Sequence, residues 1–420
     1  MNVTVSSGKI KGQVKVPFSK SFGHRAIIAG SLAKGESVIK GITFSNDINY
    51  TLKAMESLGA KITKNKDSVF IRGINNINEY YNHVIDCGES GSTLRFLIPV
   101  FSVLDGETTF IGKPVLFKRP LEIYEEEYKR QKLSFELKGA SLLTKGKISA
   151  KIYRLAGNVS SQFITGLLFA LPLLEKNSQI KIEGEIESEP YIDMTIDLLK
   201  VFGIQIEKNG NVIKIPGNQK YSPCNYQVEA DYSQFAFFAV AGAINNNITL
   251  LDMNPSSKQG DAFIVDVLKM YGAGVEVHSN KIDIIKGSLK GCNVSLKNCP
   301  DLGPILMVLS LFANTTVTLT DIKRLRVKES DRVKAMVDNL ALFKAKIEVE
   351  ENSISIKPSK LKSPTVVLNP YNDHRILMAL AILSTVVKGK VTFSNSECIN
   401  KSYPNFFKDL KNLGIEVIYG

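Results

Sequence analysis

The chain has 420 residues, and 53 lysines and arginines against 41 aspartates and glutamates leave a formal charge of +12. That length predicts two or three domains with substantial cores, and a composition 44% hydrophobic and 22% charged excludes a disordered or low-complexity chain. Five scattered cysteines without a CxxC pair exclude a disulfide-stapled module and a zinc cluster, and they point to a reducing, cytoplasmic compartment.

Met1 to Pro17 alternate apolar and polar residues as a strand does, without the basic and apolar blocks of a signal peptide. From His24 a nearly all-apolar helix, preceded by polar residues, leads through a short loop into a β-branched strand. The same pattern returns from Ser92, Ser161, Ser233, Asp301 and Asp373, with starts about 70 residues apart. A second, amphipathic helix follows in each copy, and Gly59, Gly203, Gly272 and Gly414 suit its left-handed C-cap. Lys344 takes that place in the fifth copy, and the copy near Gln131 to Phe135 is degenerate. Each unit therefore reads strand, helix, strand, helix, strand, strand.

A helix apolar all round, such as Phe163 to Leu174, must be buried on every side, whereas a striped one such as Val333 to Phe343 shows one face to water. Helices therefore belong inside and sheets outside. The predicted class is α/β, a two-domain inverse (inside-out) α/β barrel of six repeats, three per domain, with a boundary near residue 230. No single repeat could bury such a helix alone. No stretch approaches the ~18 apolar residues of a membrane span.

If the first helices cluster in parallel, their N-termini gather unpaired N–H groups and partial positive charge that attract anions. The residues at these ends are Lys20, Ser21 and Arg25; Glu89 to Thr93; Ser160, Ser161 and Gln162; Asp231; Asp301; and Asp373 to Arg375. Before the second helices stand Arg119, Ser188 with Tyr191, Asp261, Lys328 and Glu329 with Arg332, and Lys401. Taken singly, Ser92, Ser160, Asp231, Ser188 and Asp261 suit plain N-caps. Arg95 and Lys34 read as solvated surface charges, and Gly91 is as well explained by a turn. Lys20, Arg25, Arg119, Lys328, Arg332, Arg375 and Lys401 at equivalent helix ends read together as a site for phosphate or carboxylate groups. His83 and His278 read as structural or exposed; His24 and His374 suit either a substrate contact or a cap. The P-loop, GxGxxG and GxSxG patterns are absent, so neither a nucleotide cofactor nor a metal is expected.

Nine segments in order, PFSKSFGHR, CGESGSTLR, KRP, SSQF, SEPYID, QGD, RVKESDR, NDHR and KSYP, resemble those of the 3-phosphoshikimate 1-carboxyvinyltransferases, enolpyruvyl transferases of the shikimate pathway. The resemblance implies two domains, residues 18–229 and residues 1–17 plus 230–420, closing through a double-crossing hinge around an active site in the cleft between them. It implies a cofactor-free transfer of the enolpyruvyl group of phosphoenolpyruvate to the 5-hydroxyl of shikimate 3-phosphate, with release of phosphate. Lys20, Ser21, Arg25, Ser160, Ser161, Gln162, Ser188, Tyr191, Asp301 and Lys328 would hold shikimate 3-phosphate. Lys20, Gly91, Arg119, Gln162, Arg332, Arg375 and Lys401 would hold phosphoenolpyruvate. Asp301 would take the hydroxyl proton and Glu329 would serve the methylene carbon, with Lys20 able to share that role.

The expected partners are these two substrates, without nucleic acid or membrane, and the chain is expected to act as a monomer. Glu89 stands where many family members carry Asn; it would oppose anion binding unless paired with a neighbour such as Arg95 or Lys401. The related transferases acting on UDP-N-acetylglucosamine carry a loop with a reactive Cys or Asp that has no match near Arg119. An RNA-binding reading would need basic stripes with exposed aromatics, whereas Trp is absent and most Phe residues lie in the apolar helices.

Overall fold

A computed structural model describes residues 1–74 and 82–420. It divides into two compact units: Phe18–Val228, and Met1–Pro17 together with Glu229–Gly420.

In the first unit, Lys20–Leu32, Gly91–Phe101 and Ser161–Ala170 are the inner helices, and nearly every residue in them is buried. Burial on all sides suits their composition, at about 1.5–3 kcal/mol for each large apolar side chain removed from water. Gly166 lets two of them meet: a Cβ there would lie 2.4 Å from the Arg95 carbonyl oxygen and from the Tyr124 hydroxyl. Three four-stranded sheets lie around these helices, and their strands alternate buried and exposed residues, as in Glu36–Lys40. The sheet of Asn82–Asp86, Glu107–Ile111, Ser141–Lys145 and Ser134–Lys138 shows the repeating rule. Its first two strands run parallel, across an inner helix, and the last two form an antiparallel hairpin.

The second unit is built around Tyr232–Ile244, Gly303–Ser310 and His374–Ser384, every residue of which is buried, and two of its three sheets follow the same rule. No described sheet closes on itself, so each covers one side of its helical core.

Three repeats borrow a strand from elsewhere in the chain. Asn225–Gln227 runs parallel to Glu36–Lys40 and supplies the first repeat's missing edge. Gln13–Lys15 does the same for the fourth repeat, beside Ile248–Leu251. Val3–Ser6 lies between Lys390–Phe393 and Val417–Tyr419, antiparallel to both, and completes the sixth. The expected left-handed caps are present at Gly59, Gly203, Gly272 and Gly414, and Lys344 adopts the same conformation at φ 67°. The degenerate second copy ends likewise at Lys132, φ 57°.

No helix among the described residues is long and apolar enough to cross a membrane. None of the five cysteines forms a disulfide among the described residues.

Candidate active site

In the Phe18–Val228 unit, inner-helix N-termini present the polar residues. Ser19 caps the first helix, so Lys20 begins it, and the Lys20 ammonium pairs with Asp47 at 2.8 Å. Asp47 is buried and was not singled out from sequence, because nothing local marks an acid 27 positions away as the lysine's partner. Arg25 lies beneath. Its Nε donates to Thr195 Oγ1, one Nη1 hydrogen to the Ser21 carbonyl, and Nη2 to Thr165 Oγ1 and the Tyr191 carbonyl. Four of its five N–H groups are thus committed, which leaves one on Nη1. Burial pulls its pKa down to about 10, so Arg25 stays charged at neutral pH.

Gly91 and Arg119 come together. A Cβ on Gly91 would lie 2.6 Å from Arg119 Nη1, so the missing side chain is where the guanidinium sits. Gly91 lies in helical conformation at the first position of Gly91–Phe101, and close approach rather than a turn accounts for it. The cap of that helix is Ser90, whose Oγ accepts from Thr93 N, and not Ser92. Ser92 Oγ instead accepts from Gln162 Nε2 at 3.0 Å. Gln162 Oε1 accepts from Arg95 Nη1 at 2.8 Å, and Arg95 Nη2 donates to the Pro120 carbonyl. Arg95, read from sequence as a solvated charge, is buried over the Phe163 ring and fixes which way the Gln162 amide points.

Glu89 pairs with Lys113 at 2.7 Å, neither of the neighbours expected for it. Ser160 caps Ser161–Ala170 as expected, accepting from Gln162 N. Ser188 is buried in left-handed conformation, φ 56°, just before Glu189–Val201, and does not cap it. Holding a serine there costs about 1 kcal/mol or more, a kind of strain that gathers at functional positions.

Neither His24 nor His374 caps its helix. His24 is buried and bonds Thr51, which bonds Thr93, which bonds Ser90, a polar chain linking three helices. Burial pushes its pKa down to about 3 and keeps it neutral. His374 is also buried, and Asp373 is the cap.

The second unit holds the denser cluster. Arg332, fully buried at the start of Arg332–Leu342, reaches three carboxylates: Asp301 at 2.9 Å, Glu329 at 2.6 Å and Asp373 at 2.9 Å. Asp301, in the turn Pro300–Leu302, also meets Lys328 at 3.4 Å and Arg375 at 3.0 Å. Lys401 stands 3.8 Å from Glu329. Arg375 Nη2 further donates to Ser233 Oγ, and Ser233 is held by Asp231, the cap of Tyr232–Ile244. Arg375 Nη1 is buried without a hydrogen-bond partner. The gathered cations therefore need no outside anion to coexist, since Asp301, Glu329 and Asp373 separate them. The open donor on Arg375 is what asks for a further oxygen. Asp261, expected as a cap, lies inside the turn Gly260–Phe263.

Electrostatics sort these groups. Burial opposes ionisation of Asp301, but Arg375, Lys328 and Arg332 outweigh it and hold the carboxyl well below its usual range. Burial lowers Lys328 to about 8 although Asp301 works against the change, with Arg324 and Arg332 adding to it. Arg332 is raised, its carboxylates overcoming burial, and never gives up its proton. The result is a fixed carboxylate, a fixed guanidinium and a lysine poised to titrate, beside helix ends that favour anions.

Known proteins resemble the chain along nearly its whole length. A family profile described as EPSP synthase (3-phosphoshikimate 1-carboxyvinyltransferase) matches residues 5–410. The chain belongs to the EPSP synthase family. Curated 3-phosphoshikimate 1-carboxyvinyltransferases include that of Clostridium perfringens, 43% identical over 416 residues, with 98% of each chain covered. Another, from Clostridioides difficile, is 41% identical, covering 98% of this chain and 97% of its own. Among solved structures, an EPSP synthase from Acinetobacter baumannii is 25% identical with a TM-score of 0.78, covering 100% of both chains. The enolpyruvyl transferase NikO from Streptomyces tendae, 13% identical, shares the fold with a TM-score of 0.80 over 99% of this chain and 98% of its own. As a member of the EPSP synthase family, the chain is a transferase of enolpyruvyl groups in aromatic amino acid biosynthesis.

Proposed function

We propose that the two clusters serve one reaction, in which the 5-hydroxyl of shikimate 3-phosphate takes the enolpyruvyl group of phosphoenolpyruvate through a tetrahedral intermediate. Shikimate 3-phosphate is held by Lys20, Ser21, the remaining Nη1 hydrogen of Arg25, Ser160, Ser161, Gln162, Ser188 and Tyr191, with Asp301 and Lys328. Phosphoenolpyruvate is held by Lys20, Gly91, Arg119, Gln162, Arg332, Arg375 and Lys401. Arginine suits the second set because its planar fork pairs two oxygens at once.

The observation that carries this reading is the Asp301 carboxylate, kept ionised by Lys328, Arg332 and Arg375. In the free enzyme its low pKa makes it a weak base. Bound phosphate and carboxylate groups draw those cations toward themselves, which weakens their hold on Asp301 and raises its basicity at the moment it is needed.

The 5-oxygen then attacks the central carbon of phosphoenolpyruvate while Asp301 takes its proton. The methylene carbon gains a proton from Glu329, which accepts one once the anions engage Arg332 and Lys401; Lys20 can share that step. Elimination reverses the second transfer. Glu329 removes a methyl proton, the double bond re-forms, and the carbon–oxygen bond to phosphate breaks with its electron pair leaving on phosphate.

One chain supplies every group named, so the enzyme acts as a monomer, in the cytoplasm where free cysteines persist. The deciding experiment measures phosphate release from phosphoenolpyruvate with shikimate 3-phosphate, with UDP-N-acetylglucosamine, and alone. Release only in the first mixture is expected; release in the second, or in none from folded protein, overturns the assignment.

A further inference from the structure

A cavity of about 770 Å³ opens at one end of the third repeat, wholly inside the Phe18–Val228 unit. It lies where strands Ile152–Ala156, Ser178–Glu183 and Glu207–Asn209 begin and Val212–Ile215 ends, beside the last turns of the helix Glu189–Val201. The candidate active-site residues Ser160, Ser161, Gln162, Ser188 and Tyr191 follow the far ends of the same strands or begin that helix, so the cavity is a separate place. Its walls are apolar: Ile152, Ile196, Ile204, Ile206, Ile215 and Pro216. Such a volume and lining are those of a small-molecule site.

Its polar groups are unevenly charged. Lys151, Lys200 and Lys214 line it against the single acid Glu207. Lys151 is paired with Glu127 at 2.6 Å, and Lys214 stands 3.9 Å from Glu207. Lys200 has no ion pair among the described residues. An isoleucine wall with an unpaired ammonium at its edge is complementary to an apolar body ending in a carboxylate.

We propose that this cavity is a binding site for a small amphipathic carboxylate, an aryl or alkyl chain ending in one carboxyl group, outside the transfer reaction. The apolar body lies on the isoleucines, and the carboxylate meets Lys200.

Calorimetric titration of the full chain with 4-phenylbutyrate tests this, with 4-phenylbutylamine and 4-phenylbutanol as charge controls. The carboxylate is expected to saturate one site and to bind at least about tenfold more tightly than either control, about 1.4 kcal/mol. Lys200→Glu and Ile152→Asp, both at exposed positions, are each expected to weaken it at least about tenfold while thermal stability and turnover stay as in the parent. Equal binding of the amine or alcohol overturns the proposal, as does binding unchanged in Lys200→Glu. Absence of saturation by about 5 mM does so as well. Loss of binding when shikimate 3-phosphate and phosphoenolpyruvate are both present would place the probe in the reaction site and equally overturn it.

Discussion

Replacing Asp373 by Asn tests how Arg332 is held. Asp373 is fully buried; its Oδ2 accepts from Arg332 Nε at 2.9 Å and from Ser330 Oγ at 3.0 Å, and its Oδ1 caps His374–Ser384 through Arg375 N at 2.9 Å. Asparagine can keep the cap with its carbonyl oxygen, which turns its NH₂ toward Arg332, donor against donor. Breaking a buried ion pair costs about 3–5 kcal/mol, and Arg332 retains Asp301 and Glu329, so about 2–4 kcal/mol is expected for Asp373→Asn. Asp373→Ala should lose about 1 kcal/mol more, the worth of a cap. Urea unfolding of both variants reads these costs. Steady-state kinetics should show KM for phosphoenolpyruvate raised about tenfold or more, because the Arg332 guanidinium loses the carboxylate that fixes its Nε edge. Stability within about 0.5 kcal/mol of the parent, with unchanged KM, would refute the claim that Asp373 positions Arg332.

Glu329→Gln should retain substrate binding and lose turnover by about 10²-fold, measured as phosphate release under saturating substrates; near-normal turnover removes Glu329 from the mechanism. Arg95→Met should leave Gln162 Oε1 and the Pro120 carbonyl without their donor, costing about 1–3 kcal/mol in stability and raising KM, whereas a purely surface arginine would change neither. Lys328, lowered to about 8, carries its positive charge below that pH and loses it above. Accordingly kcat/KM for shikimate 3-phosphate should fall as pH rises through about 8, and the corresponding limb of kcat should lie higher, since bound anion stabilises the ammonium. A pH-independent kcat/KM from 7 to about 9 would count against a role for Lys328.

Much of the fold could be read in the chain because its signals are local and periodic. All-apolar helices alternating with striped ones fix what lies inside, and the glycines ending the second helices fix where each hairpin starts. Lys132 and Lys344 occupy the same left-handed corner, which shows that the corner is set by the turn and that glycine is only its easiest occupant. The exchange of strands was hidden. Asn225–Gln227 is three residues, too short for a period, and although Gln13–Lys15 lies in an alternating stretch, what decides the place of both is an open sheet edge in a distant repeat.

The same division holds in the site. Residues at helix N-termini stand at repeated positions and were legible; their partners Asp47 and Lys113 were not, nor was the pairing of Asp373 with Arg332, because side-chain reach in the folded chain chooses them. Arg95 was misread for a related reason: an arginine among apolar residues looks solvated until the Gln162 amide and the Phe163 ring are found against it.

The placing of Val3–Ser6 between Lys390–Phe393 and Val417–Tyr419 has a bearing on synthesis. Residues 18–228 form one uninterrupted stretch, and their unit can assemble while the rest is still being translated. Val3–Ser6 must instead wait for two strands made about 400 residues later. At about 5–20 residues per second, that is a delay of about 20–80 s. Through that interval Val3 and Val5, which end fully buried, have no sheet to join. Val3–Ser6 is therefore a segment that a chaperone's cover would protect during synthesis, and replacing Val3 and Val5 by Thr should change the yield of folded protein.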